Sequence, residues 1–216
     1  MSAKEETQQQ VVDNILQCSI LVSDTLIRMA DLITLTLLYH PGISERQEKM
    51  EQLYQNVLNF IDDITTTIFQ PVDKEGKSVN HYDPVFSCLK TSAKLMSDLV
   101  SLLSQEHIKM QLQTMEHFYN MNKSMLECIN VFSHLIHASI SDIRNFDIHR
   151  LTSIEIGAHH NYRLLISELT SETNEWKQAF VQYLVGEKMS SIVFECCEAC
   201  KKILACRLST INKSEN

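Results

Sequence analysis

Four cysteines near the end of the chain form its densest group of potentially reactive side chains: Cys196, Cys197, Cys200 and Cys206. Zinc-binding thiolates usually come as two Cys-x-x-Cys pairs separated by a loop, and this region contains one such pair, inside a predicted helix. Cys196 and Cys200 coincide with apolar positions of that helix, where a thiol acts as a small hydrophobic side chain. We therefore expect core thiols, and the alternatives are a metal site and a redox or acylated site.

Nine histidines suggest a second metal site. His134 and His137 share one helix face, and His159 and His160 lie on the next predicted helix, so these imidazoles meet if the two helices form a hairpin. Di-iron bundles need Glu-x-x-His on two helices, and zinc hydrolases of one large class need His-Glu-x-x-His. The sequence contains neither motif. We expect scattered histidines, and the alternative is metal binding or pH sensing.

The sequence also lacks the motifs of nucleophilic and nucleotide-dependent catalysis. It has no Gly-x-Ser-x-Gly, no phosphate-binding glycine loop and no dinucleotide fingerprint. Four glycines in all leave few places where backbone amides can approach a phosphate closely. The prediction is a protein that is not an enzyme and has no cofactor, although a site made only of helix-borne side chains stays open.

Methionines in the middle of the chain and lysines in a predicted loop are the candidates for partner binding. Flexible thioethers can line an adaptable groove for a partner helix, here between the methionine-rich segment and the first helix. The same methionines lie at helical spacing among Leu and Phe, which favours core filling. The loop, 71–82, has a length typical of a crossover or a functional segment. The candidates are Met115, Met121, Met125, Lys74 and Lys77.

Charge and hydropathy exclude several classes of partner. Asp and Glu number 27 against 19 Lys and Arg, and the positive residues are scattered. Nucleic-acid binding needs a concentrated basic face, so we expect neither a nucleic acid nor an anionic membrane as partner. The longest uncharged stretch, Cys128–Ser141, is shorter than the roughly 18 residues that span a bilayer. A polar N-terminus and an odd number of cysteines favour a cytoplasmic protein, with the nucleus as the alternative.

Glycine and proline together account for only seven residues, fewer than the turns of a sheet protein would require. Between these residues, apolar side chains recur at every third or fourth position, which is the helical period. The sequence therefore predicts an all-α chain, an elongated antiparallel bundle of five or six long helices. We expect one domain over 1–216, with frayed tails at 1–6 and 209–216.

Caps and breakers predict where the helices begin and end. Breaks are expected near 104–106, with 120–122 as the alternative, and near 141–147, where Asp142 or Asp147 caps the next helix. Gly186 is expected to separate the last two helices. Trp176 and Phe180 are assigned to the apolar stripe of the predicted helix that precedes Gly186. The predicted helices span about 5–39, 44–70, 83–104, 106–140, 147–183 and 187–208.

Two resemblances accompany this fold prediction. Long glycine-poor helices, few aromatic residues, Ser/Thr-rich solvent faces and short hairpins resemble the bundles of the vinculin, α-catenin and talin class, in architecture only. The segment Leu35–Ser44 (Leu-Thr-Leu-Leu-Tyr-His-Pro-Gly-Ile-Ser), followed by Gln52–Asp62, resembles the cyclin-D-binding, Maid-type helical proteins. That resemblance implies a regulatory, cyclin-binding role, and it covers about a fifth of the chain without a diagnostic motif.

The combined pattern favours a non-enzymatic intracellular interaction module, an adaptor, scaffold or regulator. It would bind another protein through a groove or an amphipathic helix. A homodimer is a further expectation, because the first helix is apolar on more than one side and could pair with its copy. The alternatives are a metal-binding bundle, a bundle enclosing an apolar ligand in a cavity lined by Met and Phe, and a cyclin-binding protein.

Overall fold

The computed structural model describes residues 3–39, 42–68, 82–105, 112–171 and 176–214, and throughout these ranges the secondary-structure elements are α-helices. The predicted all-α class is confirmed. The predicted number of helices, five or six, is wrong, because these ranges contain seven, one of them a single short turn in the second break. The helices are α1 (Ala3–Leu38), α2 (Ile43–Ile68), α3 (Asp83–Gln105), α4 (Leu112–His137), α5 (Ile140–Arg144), α6 (His149–Ser171) and α7 (Trp176–Ser214).

Local signals account for most of these boundaries. Gly42 has a φ of +78° just before α2, in the left-handed region that glycine adopts without steric cost. Helix α3 begins at Asp83, as the Asp-Pro pair predicts. It ends at Gln105, inside the first predicted break. The expected loop at 71–82 lies outside the described residues except for Tyr82.

The second predicted break contains the short helix α5. Ser139 caps it: the Asp142 amide donates to the Ser139 hydroxyl at 3.2 Å, and the Ser139 amide donates to the Asp142 carboxylate at 3.2 Å. The Asp147 carboxylate accepts a hydrogen bond of 2.9 Å from the His149 amide at the start of α6. Both predicted carboxylates thus lie at helix starts, although Asp142 is the third residue of α5 and not its cap.

Gly186 does not separate two helices, contrary to the prediction. Helix α7 continues through it as far as Ser214. Helix α6 ends at Ser171, within the predicted helix 147–183, and α7 begins at Trp176. A Cβ on Gly186 would lie 2.5 Å from Leu165 Cδ2. The glycine therefore permits close packing of α6 on α7. The predicted frayed tail is also helical up to Ser214, and Ile211 is buried.

The long helices pack as two groups of three. Helices α1, α2 and α3 all contact one another, and so do α4, α6 and α7. The first group joins the second through the contacts of α1 with α4 and of α3 with α7. Helix α7 therefore has three long neighbours, which explains the many small residues along it, since small side chains permit close approach of helices on several sides.

The contacts give the directions of neighbouring helices. Lys90 pairs with Asp62 and Ser97 with Glu51, so α2 and α3 are antiparallel. In contrast, α4 and α7 are parallel, because the contacts from Cys128 to Cys197 and from Leu135 to Arg207 advance in the same direction. These are the first and third long helices of an up-down-up group, in which α6 is antiparallel to both. Such a parallel pair occurs in any bundle whose successive helices alternate in direction.

Buried apolar side chains from all seven helices belong to one hydrophobic core cluster. Helices α2, α3 and α4 of the same chain cover most of the apolar stripe of α1. Leu35 and Leu38 near its end are 46% and 52% exposed, and the homodimer stays a prediction. Among the helices of the described ranges, none combines the length and hydropathy needed to cross a membrane.

Candidate functional site

The three candidate cysteines on α7 are fully buried and point to different neighbours. The Cys196 thiol lies 3.5 Å from the Ser92 hydroxyl of α3. The Cys197 thiol lies 3.0 Å from the Cys128 thiol of α4, and the Cys200 thiol lies 3.4 Å from the Cys128 carbonyl oxygen. These contacts divide the thiols between two helix interfaces, so Cys196 does not converge with Cys197 and Cys200 on one point.

Burial favours the protonated form of the Cys196, Cys200 and Cys128 thiols. It raises the pKa of Cys196 to about 12, and that of Cys200 well above its ordinary value. The adjacent Cys197 thiol and burial together raise the pKa of Cys128. Since the thiolate is the form that attacks electrophiles and binds metals, the closed structure disfavours both reactions at these positions.

The candidate histidines are exposed and lie far apart. Helices α4 and α6 are antiparallel, with Glu127 beside Arg150 at 3.2 Å. Along the helix axes, His134 and His137 lie on one side of that pair, and His159 lies on the other side. At a rise of 1.5 Å per residue, His134 and His159 are about 24 Å apart along the helix axes. The alternative, in which these imidazoles meet across a hairpin, does not occur in the structure.

The described side chains offer no metal-binding arrangement. Among them, no group of three or more His, Cys, Asp or Glu residues is arranged to hold a metal ion. The structure does not bring His134, His137 and His159 to the cysteines of α7. It therefore provides no support for the metal-binding alternative at these residues.

The candidate methionines on α4 contribute to the core. Met121 and Met125 are fully buried, and Met115 packs against the core cluster from a partly buried position. Helix α4 contacts α1 directly, and the Asn122 amide donates to the Thr34 hydroxyl between them. The expected groove between the methionine-rich segment and α1 is filled at these positions. Lys74 and Lys77 lie outside the described residues.

A surface of aromatic side chains extends from the start of α7 to α6. Trp176 is 79% exposed and Phe180 is 53% exposed. The rings of Phe180 and Tyr183 are stacked, with centroids 6.4 Å apart. The ring centroid of Tyr183 lies 6.0 Å from that of Tyr162, which belongs to α6. We call Trp176, Phe180, Tyr183 and Tyr162 the aromatic surface.

The two tyrosines anchor this surface to the body of the protein. Both belong to the partly buried side chains packed against the core. Burial, together with a hydrogen bond involving Tyr183, raises the pKa of Tyr162, so its hydroxyl stays protonated at neutral pH. Trp176 and Phe180, in contrast, extend into solvent from the first turns of α7. The surface therefore has a fixed tyrosine base and an exposed apolar end.

The sequence prediction missed this surface because it placed Trp176 and Phe180 inside a continuous helix, on its buried stripe. Helix α6 ends at Ser171 and α7 begins at Trp176. Helix α7 therefore has its own orientation, and these two rings face solvent. The polar stretch before Trp176 was the one local signal of this break.

Charged side chains between helices are a further feature that sequence reasoning missed. Lys202 lies 2.9 Å from the Cys88 thiol across the α3–α7 contact. His117 lies 3.0 Å from Glu168 across the α4–α6 contact. Each pair joins side chains distant in sequence, so helical periodicity gives no signal for it.

No protein-family model matches the chain, and no curated protein matches it. The functional assignment depends on the surface and interior chemistry described above.

Proposed function

We propose that this chain is a non-enzymatic intracellular protein–protein interaction module that binds its partner through the aromatic surface. The observation that carries the proposal is the exposure of Trp176 and Phe180, 79% and 53%, on one face at the start of α7. Single exposed apolar residues are common on proteins, but adjacent exposed aromatic rings are typical of binding sites.

Aromatic side chains suit this role for energetic reasons. They bury a large apolar area at a small cost in side-chain entropy, and Trp and Tyr are enriched among the residues that dominate binding energy. Stacking on Tyr183, whose ring in turn contacts that of Tyr162, restrains Phe180 before any partner arrives. A preorganised ring loses less freedom on binding.

The form of the surface favours an amphipathic helix as ligand. The rings lie on α7 and α6, and an added helix can pack its apolar stripe against such a ridge as helices do within the protein. All seven cysteines lie in the described ranges and none of them forms a disulfide, which supports a reducing intracellular location. The finer proposal is an elongated helical bundle acting as an adaptor or regulator.

Quantitative affinity purification from cells that express the protein tests this proposal. The baits are the wild-type chain, the double variant W176S/F180S and the control Y119S. Tyr119 is an aromatic residue of α4 with 61% exposure and lies outside the aromatic surface. We expect at least one partner retained by the wild type and by Y119S and lost from the double variant, with Kd at least about tenfold weaker for the recombinant partner.

Two results would contradict the proposal. The first is a set of partners that the double variant retains unchanged. The second is concentration-dependent self-association in analytical ultracentrifugation that the double variant abolishes, because the occupant of the surface would then be a second copy. Circular dichroism of each bait establishes that the helical fold is retained.

A further inference from the structure

Two buried thiols from different helices face each other near the middle of the protein. The sulfur atoms of Cys128 on α4 and Cys197 on α7 lie 3.0 Å apart, about 1 Å longer than a disulfide bond. Both side chains have no exposed surface. This pair belongs to no part of the aromatic surface, and helical periodicity alone gives no reason to pair the two residues.

We propose that Cys128 and Cys197 form a dithiol site that closes to an intramolecular disulfide under two-electron oxidation by a hydroperoxide. One thiolate attacks an oxygen of the hydroperoxide and the O–O bond breaks. A sulfenic acid forms, and the leaving oxide takes up the proton released from the thiol, giving an alcohol or, from hydrogen peroxide, water. The second thiolate attacks the sulfenic sulfur, the S–O bond breaks and the disulfide forms, while the leaving hydroxide takes up the second thiol proton to give water. With hydrogen peroxide, the two thiols lose two electrons and two protons, and the peroxide is reduced to two waters.

The positions of the neighbouring thiols favour this pair over the others. Cys196 leaves α7 about 100° around the helix axis from Cys197, and its sulfur lies against Ser92 of α3. The Cys200 sulfur lies against the backbone carbonyl of Cys128, at 3.4 Å. Only Cys197 therefore has a described sulfur-to-sulfur contact with Cys128. The geometry predicts one specific crosslink.

Burial determines when the reaction can occur. Because both thiols are fully enclosed, a hydroperoxide reaches them only when the α4–α7 contact opens locally. Once formed, the disulfide joins α4 to α7 and prevents that opening. Exposure to the oxidant would thus reduce the motion of α4 relative to α7.

Peptide mapping of the full chain tests the proposal. Reduced protein is treated with hydrogen peroxide, quenched with catalase, alkylated in denaturant and digested with trypsin without reduction. We expect Ser124–Arg144 linked to Met189–Lys201, two mass units below the sum of the two peptides when Met189–Lys201 carries two alkyl groups. Fragmentation should place the bond at Cys128 and Cys197, with Cys196 and Cys200 alkylated.

Matched variants separate this pair from its neighbours. The crosslink should fall to background in C197A and persist in C196A and C200A. Concentrations of urea below the unfolding transition should accelerate its formation, and the oxidised wild type should have a higher Tm than the reduced protein, whereas oxidised C197A should not.

The wild-type map alone can overturn the inference, whether or not the variants fold. Full alkylation of Cys128 after peroxide treatment would do so. A bond from Cys128 to Cys196 or Cys200, or oxidation of Cys197 to a sulfinic acid without a crosslink, would also overturn it. These outcomes do not depend on the aromatic surface, so the two proposals can fail separately.

Discussion

Two glycines inside helices have opposite surroundings, and single substitutions reveal the difference. A Cβ on Gly186 would lie 2.5 Å from Leu165 Cδ2 and 3.1 Å from Tyr162 Cδ2, and Leu165 is fully buried. Gly186→Ala should lower the free energy of unfolding by about 1 kcal/mol, because overpacking outweighs the gain in helix propensity. Urea unfolding followed by circular dichroism measures this change.

Gly157→Ala is the matched control. Among the described residues, nothing outside the local helix backbone lies within 4 Å of a Cβ built at Gly157. The substitution should therefore raise the free energy of unfolding by about 0.5–1 kcal/mol through helix propensity alone. Equal stabilisation by both substitutions would contradict the close approach of α6 to α7 at Gly186.

The carboxylate of Asp142 provides a prediction about pH. Hydrogen bonds from the Ser139 hydroxyl and amide hold the pKa of this carboxyl below its ordinary value. A depressed pKa in the folded state means that the stabilisation is present above the unfolded value and is lost as the pH falls through the folded value, below about pH 4. In an NMR titration, Ser139→Ala should raise the midpoint of Asp142.

Ser153→Ala is the matched control, because it removes an exposed hydroxyl that donates to the His149 carbonyl oxygen within α6. The midpoint of Asp142 should not change in that variant. An unchanged midpoint for Asp142 in Ser139→Ala would show that the capping interaction does not form in solution.

At the scale of the helices, the end of α4 depends on a residue of α7. The Arg207 guanidinium donates to the carbonyl oxygens of Leu135 at 3.0 Å and Ala138 at 2.9 Å, and also to that of Ile136. Carbonyl groups in the last turn of a helix have no partner within the helix. Arg207 therefore provides the cap that the sequence around His137 lacks.

Arg207→Met should lower the free energy of unfolding by about 2 kcal/mol, because hydrogen bonds from a charged donor to several carbonyl groups are lost together. Arg150→Met is the comparison, since Arg150 pairs with Glu127 on the surface at 3.2 Å. That change should cost less than about 1 kcal/mol. Equal losses in chemical denaturation would argue against a capping role for Arg207.

Helix boundaries show what local sequence can predict. Helix α3 begins at Asp83, and Ser139 caps α5. Because the signals at both places are local, the start of α3 and the existence of a break near α5 could be predicted from the sequence. Gly186 was misjudged because glycine is a breaker only when nothing else favours the helix. Here Leu165 and Tyr162 occupy the space of its missing side chain, and those residues belong to another helix.

At the scale of the whole molecule, the two groups of three helices leave the beginning of α7 on the outside. Trp176 is the chain's single tryptophan, so its fluorescence reports on this end alone. Because the side chain is 79% exposed, the native emission maximum should lie close to that of the unfolded chain. Urea should change the maximum little while the helical circular dichroism signal disappears.

Binding of a partner should shift the same emission to shorter wavelength, because the indole leaves water. Phe180→Ser should reduce the affinity while the free protein keeps its emission maximum, since Phe180 would contact the partner and not shield Trp176. A native maximum already at short wavelength would contradict the exposed position of Trp176 and weaken the proposed binding surface.

The all-helical class and most helix ends were determined by the sequence alone, since both depend on interactions within a few residues: the spacing of apolar side chains, caps and the scarcity of glycine and proline. The parallel course of α4 and α7, the contact of Cys128 with Cys197 and the exposure of Trp176 were decided by the tertiary structure. A helical stripe specifies which face is buried but not which helix covers it. Those choices depend on how side chains from distant parts of the chain fill the same space.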